Sequence, residues 1–113
     1  MNYVSDIVEG MITAGFEPKT VGETMNLASG KDFSIEEIVN MIGDILGKKL
    51  IIKTEKKRLR PEKSEVQRLV GDNRLAERKI GYIPQVSIKS GLEKTIRFFE
   101  KNLALFPKED YQL

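Results

Sequence analysis

Apolar residues recur at three- and four-residue spacing in four stretches of the chain, and each stretch predicts a helix. The first carries Ile7, Val8, Met11 and Ile12 on one face and ends near Gly15. Ser5 or Asp6 is its expected cap, and Asp6 with Glu9 has capping-box spacing. The second carries Ile35, Ile38, Val39, Ile42, Ile45 and Leu46. It opens on Ser34-Ile35-Glu36-Glu37, where the serine can accept from the third helical amide while Glu37 reaches back to the cap. Gly47 suits the left-handed residue that closes such a helix. A third, short helix through Leu75, Ala76 and Ile80 is bounded by Asp72 or Asn73 and by Gly81. The last begins at Ser87 and carries Ile88, Leu92, Ile96, Phe99 and Leu103, with Pro107 ending it.

Between the helices the pattern shortens. Thr24 to Ala28, closed by Ser29-Gly30, and the β-branched run Leu50-Ile51-Ile52 read as short strands. Val66 to Val70 reads as a further extended piece, and Tyr82-Ile83-Pro84 is extended because a residue before proline is pushed out of the α region. Glu17 to Glu23 is a loop holding Pro18 and Gly22. Tyr3, Phe98, Phe99 and Phe106 are expected in the core or at an interface. There is no internal repeat and no low-complexity tract. The expected class is α+β, helix-rich with short strands, closer to a cap on something larger than to a self-standing sandwich.

Composition narrows the chemistry. The 113 residues suffice for one small domain with a thin core. Hydrophobic residues make up 40% and charged residues 32%, as in ordinary folded domains. There is no cysteine, which excludes disulfides and thiolate chemistry, and no histidine, which removes the commonest neutral-pH acid/base and nitrogen metal ligand. No run has the oxygen-ligand spacing of an EF-hand. No apolar stretch approaches 18 residues and no signal-peptide pattern opens the chain, so the expectation is no membrane partner and a cytoplasmic location. A formal net charge of +2 says little about partners.

The most suggestive segment is Lys53 to Lys63. It holds six basic residues (Lys53, Lys56, Lys57, Arg58, Arg60, Lys63) against two acidic ones (Glu55, Glu62). An arginine fork matches phosphate oxygens in a bidentate way, and Pro61 restrains the loop that aims Arg60. Glu65 could accept from a hydroxyl or orient the arginine. The segment therefore reads either as a diphosphate and sugar clamp or as a solvated charged loop. Nucleic acid is the less favoured partner, because the loop has no aromatic residue on which a base could stack. Ser29-Gly30 lacks the glycine spacing and lysine of a P-loop and reads as a turn, with Asn26 free to bond backbone or ligand. No nucleophile, base or serine triad is evident.

Five stretches in order resemble the C-terminal part of the NAD-dependent epimerase/dehydratase family, the extended short-chain dehydrogenases acting on nucleotide sugars. Tyr3-Val-Ser-Asp-Ile-Val-Glu-Gly10 is similar to that family's Y-V-x-D helix start, and Met25-Asn-Leu-Ala-Ser-Gly30 to its N-x-G/A-S/T-G strand end. Phe33-Ser-Ile-Glu-Glu-Ile38 resembles the helix that follows, and Arg60-Pro-Glu-Lys-Ser-Glu-Val66 the substrate loop. Gly71-Asp-Asn through Gly81-Tyr-Ile-Pro84, with Val86-Ser-Ile and Gly91-Leu92, resembles the closing D-x-x-K-A-x-x-x-L-G-W-x-P pattern. Arg74 stands where the family often has lysine and Tyr82 where it has tryptophan. The Arg-Pro…Ser-Glu-Val form is most similar to the 4,6-dehydratase branch.

The resemblance implies a small helix-rich C-terminal substrate-binding domain over residues 1–106 and a frayed tail over 107–113. It implies a nucleotide-sugar partner, with Arg60 on the diphosphate and Glu65 on the nucleotide. It also implies that the Rossmann half, with the NAD(P) site and the catalytic tyrosine and lysine, lies upstream of Met1. The chain alone is then expected to hold no cofactor and to be inert, and to associate with a second copy or with a separate Rossmann-type protein. Two other readings stay open: a repurposed partner-binding or regulatory module, and a small nucleic-acid binder.

Overall fold

The computed structural model describes residues 1–53 and 69–106. Four α-helices organise them: α1 (Val4–Phe16), α2 (Ile35–Leu46), α3 (Arg74–Ile80) and α4 (Ile88–Lys101), with 3-10 turns at Pro18–Thr20 and Leu103–Leu105. Helix α1 packs on α3, the first 3-10 turn touches both, and α2 packs on α4.

Helix α2 follows its sequence signals closely. The Ser34 hydroxyl accepts from the Glu37 amide at 3.1 Å, and the Glu37 carboxylate accepts from the Ser34 amide at 2.6 Å. At the other end Gly47 takes φ +62°, the Gly47 amide donates to Asp44 and the Lys48 amide to Gly43, so the last carbonyls are satisfied. A side chain on Gly43 would meet the Lys48 carbonyl oxygen at 2.8 Å, so the return of the chain needs a glycine there. Ser87 caps α4 as expected, accepting from the Ser90 amide at 3.2 Å.

Helix α1 departs from expectation. Neither Ser5 nor Asp6 caps it; it begins at Val4, with Tyr3 in the cap position making no side-chain cap bond. Asp6 is only 4% exposed, and its Oδ2 accepts from the Val86 amide at 3.1 Å, 80 residues away. A long-range bond has claimed the carboxylate that local spacing assigned to the helix end. Tyr3 lies against α4, where a Cβ on Gly91 would come within 3.2 Å of its ring, and Lys94 Nζ sits 5.0 Å from the ring centroid.

Helix α4 is also shorter than its apolar pattern. It stops at Lys101, and Leu103 belongs to the following 3-10 turn. The Asn102 side-chain amide donates to the Phe98 carbonyl at 2.8 Å while its backbone amide is shared between Phe98 and Phe99, which turns the chain out of the helix. Phe98 and Phe99 are exposed and meet edge to face at 6.0 Å; Phe106 closes on Phe99 at 4.8 Å.

The strands of the expected α+β class are absent among the described residues. Thr24–Ala28 and Leu50–Ile52 are neither helix nor ladder, nor are Leu69 and Val70; the rest of the extended piece expected over Val66–Val70 lies outside the described residues. A strand is defined by pairing of its amides and carbonyls with a neighbour. Here the Leu27 carbonyl accepts instead from the Asn2 side chain at 3.2 Å. The described residues are thus helix-rich, with connecting segments in place of a sheet. Their interior is thin: Ala76 and Tyr82 are the buried hydrophobic residues. Tyr82 lies across α1 at Gly10, where an added Cβ would be 2.8 Å from the tyrosine ring and 2.9 Å from Leu27.

Candidate functional site

Arg60 and Glu65, the two residues singled out for substrate binding, lie outside the described residues, as does most of the basic segment. The structure does describe both ends from which that segment departs. Upstream, the closure of α2 at Gly47 delivers the chain to Leu50–Lys53. Downstream, Gly71–Asn73 is held against the turn that ends the Thr24–Ala28 segment. A Cβ on Gly71 would stand 2.6 Å from that of Ala28, and one on Gly30, which has φ +67°, would stand 3.3 Å from Asn73 Oδ1. Two motifs more than forty residues apart in sequence therefore meet at the downstream anchor. The first is Asn26–Gly30 and the second Gly71–Asn73.

Immediately after this anchor, Asp72 and Arg74 form a fork. Arg74 Nε donates to Oδ1 and Oδ2 of Asp72 at 2.9 and 3.0 Å, and Nη2 donates to Oδ2 at 2.6 Å. The Asp72 carboxylate also accepts from the Arg74 amide, the first of α3, at 3.0 Å, while Asn73 in the cap position makes no side-chain cap bond. The side-chain and backbone bonds from Arg74, with the nearby charge of Arg78, lower the Asp72 pKa to about 2. The same partner raises that of Arg74. Both side chains face solvent, so the pair orients Arg74 more than it stabilises the fold.

Arg74 and Arg78 are one turn apart on α3. With Asp72, Leu75 and the stretch Thr24–Met25–Asn26 they line a shallow cleft of about 360 Å³. Asn26, which the sequence leaves free to bond backbone or ligand, lies on this cleft wall. The i,i+4 spacing of the two arginines was visible in the sequence, but only the packing of α3 beside residues 24–26 makes it a shared surface. Lys79, on another side of α3, is taken up by Glu23 at 2.8 Å.

A second, smaller cleft of about 230 Å³ lies between α1 and the end of α3, lined by Asp6, Glu9, Thr13, Tyr82 and Gln85 among others. The Tyr82 hydroxyl is buried and has no hydrogen-bond partner. Burial, with a smaller push from the Asp6 charge, raises its pKa.

The described residues do not fit a dinucleotide. A phosphate-binding loop places glycines between a strand and a helix N-terminus. The left-handed glycines here are Gly22, Gly30, Gly47 and Gly81; Gly47 and Gly81 close helices, and Gly22 and Gly30 sit in connecting loops. Among the described residues no group of three or more acidic side chains could hold a metal ion, and no helix is long and apolar enough to cross a membrane.

Comparison with known proteins agrees with the motif order. The family model described as GDP-mannose 4,6 dehydratase matches residues 1–95. UDP-glucuronate 4-epimerase of Thermodesulfobacterium geofontis is 30% identical over 91% of this chain and 30% of its own. Among solved structures, the epimerase Mth375 of Methanothermobacter thermautotrophicus superposes with a TM-score of 0.81 at 32% identity, covering 92% of this chain and 30% of that one. The Bordetella bronchiseptica enzyme WbmF, solved with NAD+ and UDP, gives a TM-score of 0.67 at 34% identity, over 90% of this chain and 28% of that one. The chain thus spans about 30% of the length of these relatives. A match running through α1, α2 and α3 and into α4 assigns the chain to the GDP-mannose 4,6-dehydratase family of NAD-dependent nucleotide-sugar epimerases and dehydratases.

Proposed function

We propose that this chain is the nucleotide-sugar-binding portion of an NAD-dependent nucleotide-sugar 4,6-dehydratase or epimerase, and that it is catalytically inert alone. The observation that carries the reading is the family match over residues 1–95, which includes the Arg60–Glu65 loop and both of its anchors. In this reading Arg60 presents its guanidinium fork to the diphosphate, and Glu65 accepts from a hydroxyl of the nucleotide. The cleft beside Gly71–Asn73 supports it: with Arg74 paired to Asp72, Arg78 leaves a net positive charge there.

The complete family enzyme takes a hydride from the sugar onto NAD and returns it after loss of water or inversion. In this reading the chain's own part is to bind and orient the nucleotide. Its partners are then the nucleotide-sugar and a protein surface, either a second copy or a separate Rossmann-type chain.

Calorimetry with UDP-, GDP- and dTDP-sugars tests this. Binding of one of them, weakened tenfold or more by Arg60→Ala, is the expected result, because loss of a charge-assisted bidentate bond costs about 1.5–3 kcal/mol. An Arg60→Ala chain that binds as well as the unsubstituted one removes Arg60 from the site.

A further inference from the structure

We draw no further inference here: the strongest candidate, the cleft between α1 and the end of α3 where Asp6, Glu9 and Gln85 stand beside the partnerless Tyr82 hydroxyl, carries nothing, because that hydroxyl is enclosed by the fold and nothing in the structure shows it facing the cleft, which leaves two acidic side chains as the whole of the site.

Discussion

Gly10→Ala and Gly15→Ala place the same methyl group on the same helix and should move stability in opposite directions. In an exposed helix interior, alanine in place of glycine is worth about 1 kcal/mol of added stability. At Gly15 nothing opposes that gain, since the new Cβ meets open space. At Gly10 the Cβ would lie 2.8 Å from two ring carbons of Tyr82 and 2.9 Å from Leu27 Cδ1. Carbon atoms rest at about 3.5–4.0 Å, so three contacts must open by most of an ångström. The tyrosine has little room to retreat, being 6% exposed. Overpacking of this kind costs about 1–3 kcal/mol. Net of the helix gain, Gly10→Ala should lose about 1 kcal/mol. The two variants should then differ by about 2 kcal/mol, or about 8–16 °C in midpoint for a domain of this size. Urea and thermal unfolding followed at the helix band, at one fixed chain concentration, measures both. Equal stability of the two variants, or a gain at Gly10, would refute the packing of Tyr82 on α1 and with it the account of the core.

Ser34→Ala removes the hydroxyl half of the α2 capping box and should cost about 1 kcal/mol in the same assay, with Ser34→Asp recovering most of it. Tyr82→Phe deletes a buried hydroxyl that has no partner, so it should leave stability unchanged or raise it by up to about 1 kcal/mol; a loss of that size would show that the hydroxyl is bonded in solution. The raised Tyr82 pKa also has a sign: the stability of its neutral phenol is complete below pH 10.0 and is lost as pH rises through the raised value, a loss absent in Tyr82→Phe. Asp72, lowered to about 2, should show a carboxyl chemical-shift midpoint near there, returning toward 3.8 in Arg74→Ala. Its contribution is present above the unfolded value and falls away as pH drops through about 2, so acid, not base, should release the Arg74 fork.

Much of the helix framework could be read from residue spacing because it rests on local chemistry. The Ser34–Glu37 box, Gly47, Gly81 and Ser87 each act within one turn, and their bonds form where the sequence places them. The order of soft motifs likewise marked the family, since each motif records a local requirement that survives in any context. Of the candidate site, Arg60 and Glu65 could be nominated by motif alone, whereas the Arg74–Arg78 cleft could not, because its other wall lies more than forty residues away.

The tertiary structure decided the matters that depend on partners distant in the chain. Asp6 has the spacing of a cap, yet its carboxylate bonds the Val86 amide, a choice invisible until α1 and the start of α4 are side by side. Thr24–Ala28 has the composition of a strand, yet strand formation needs a ladder partner, and among the described residues none pairs with it. The apolar periodicity of α1 identified a helix but not the direction its stripe would point. Spacing shows only that one face differs from the other, and it took the packing of Gly10 under Tyr82 to show that the small, polar side is the buried one.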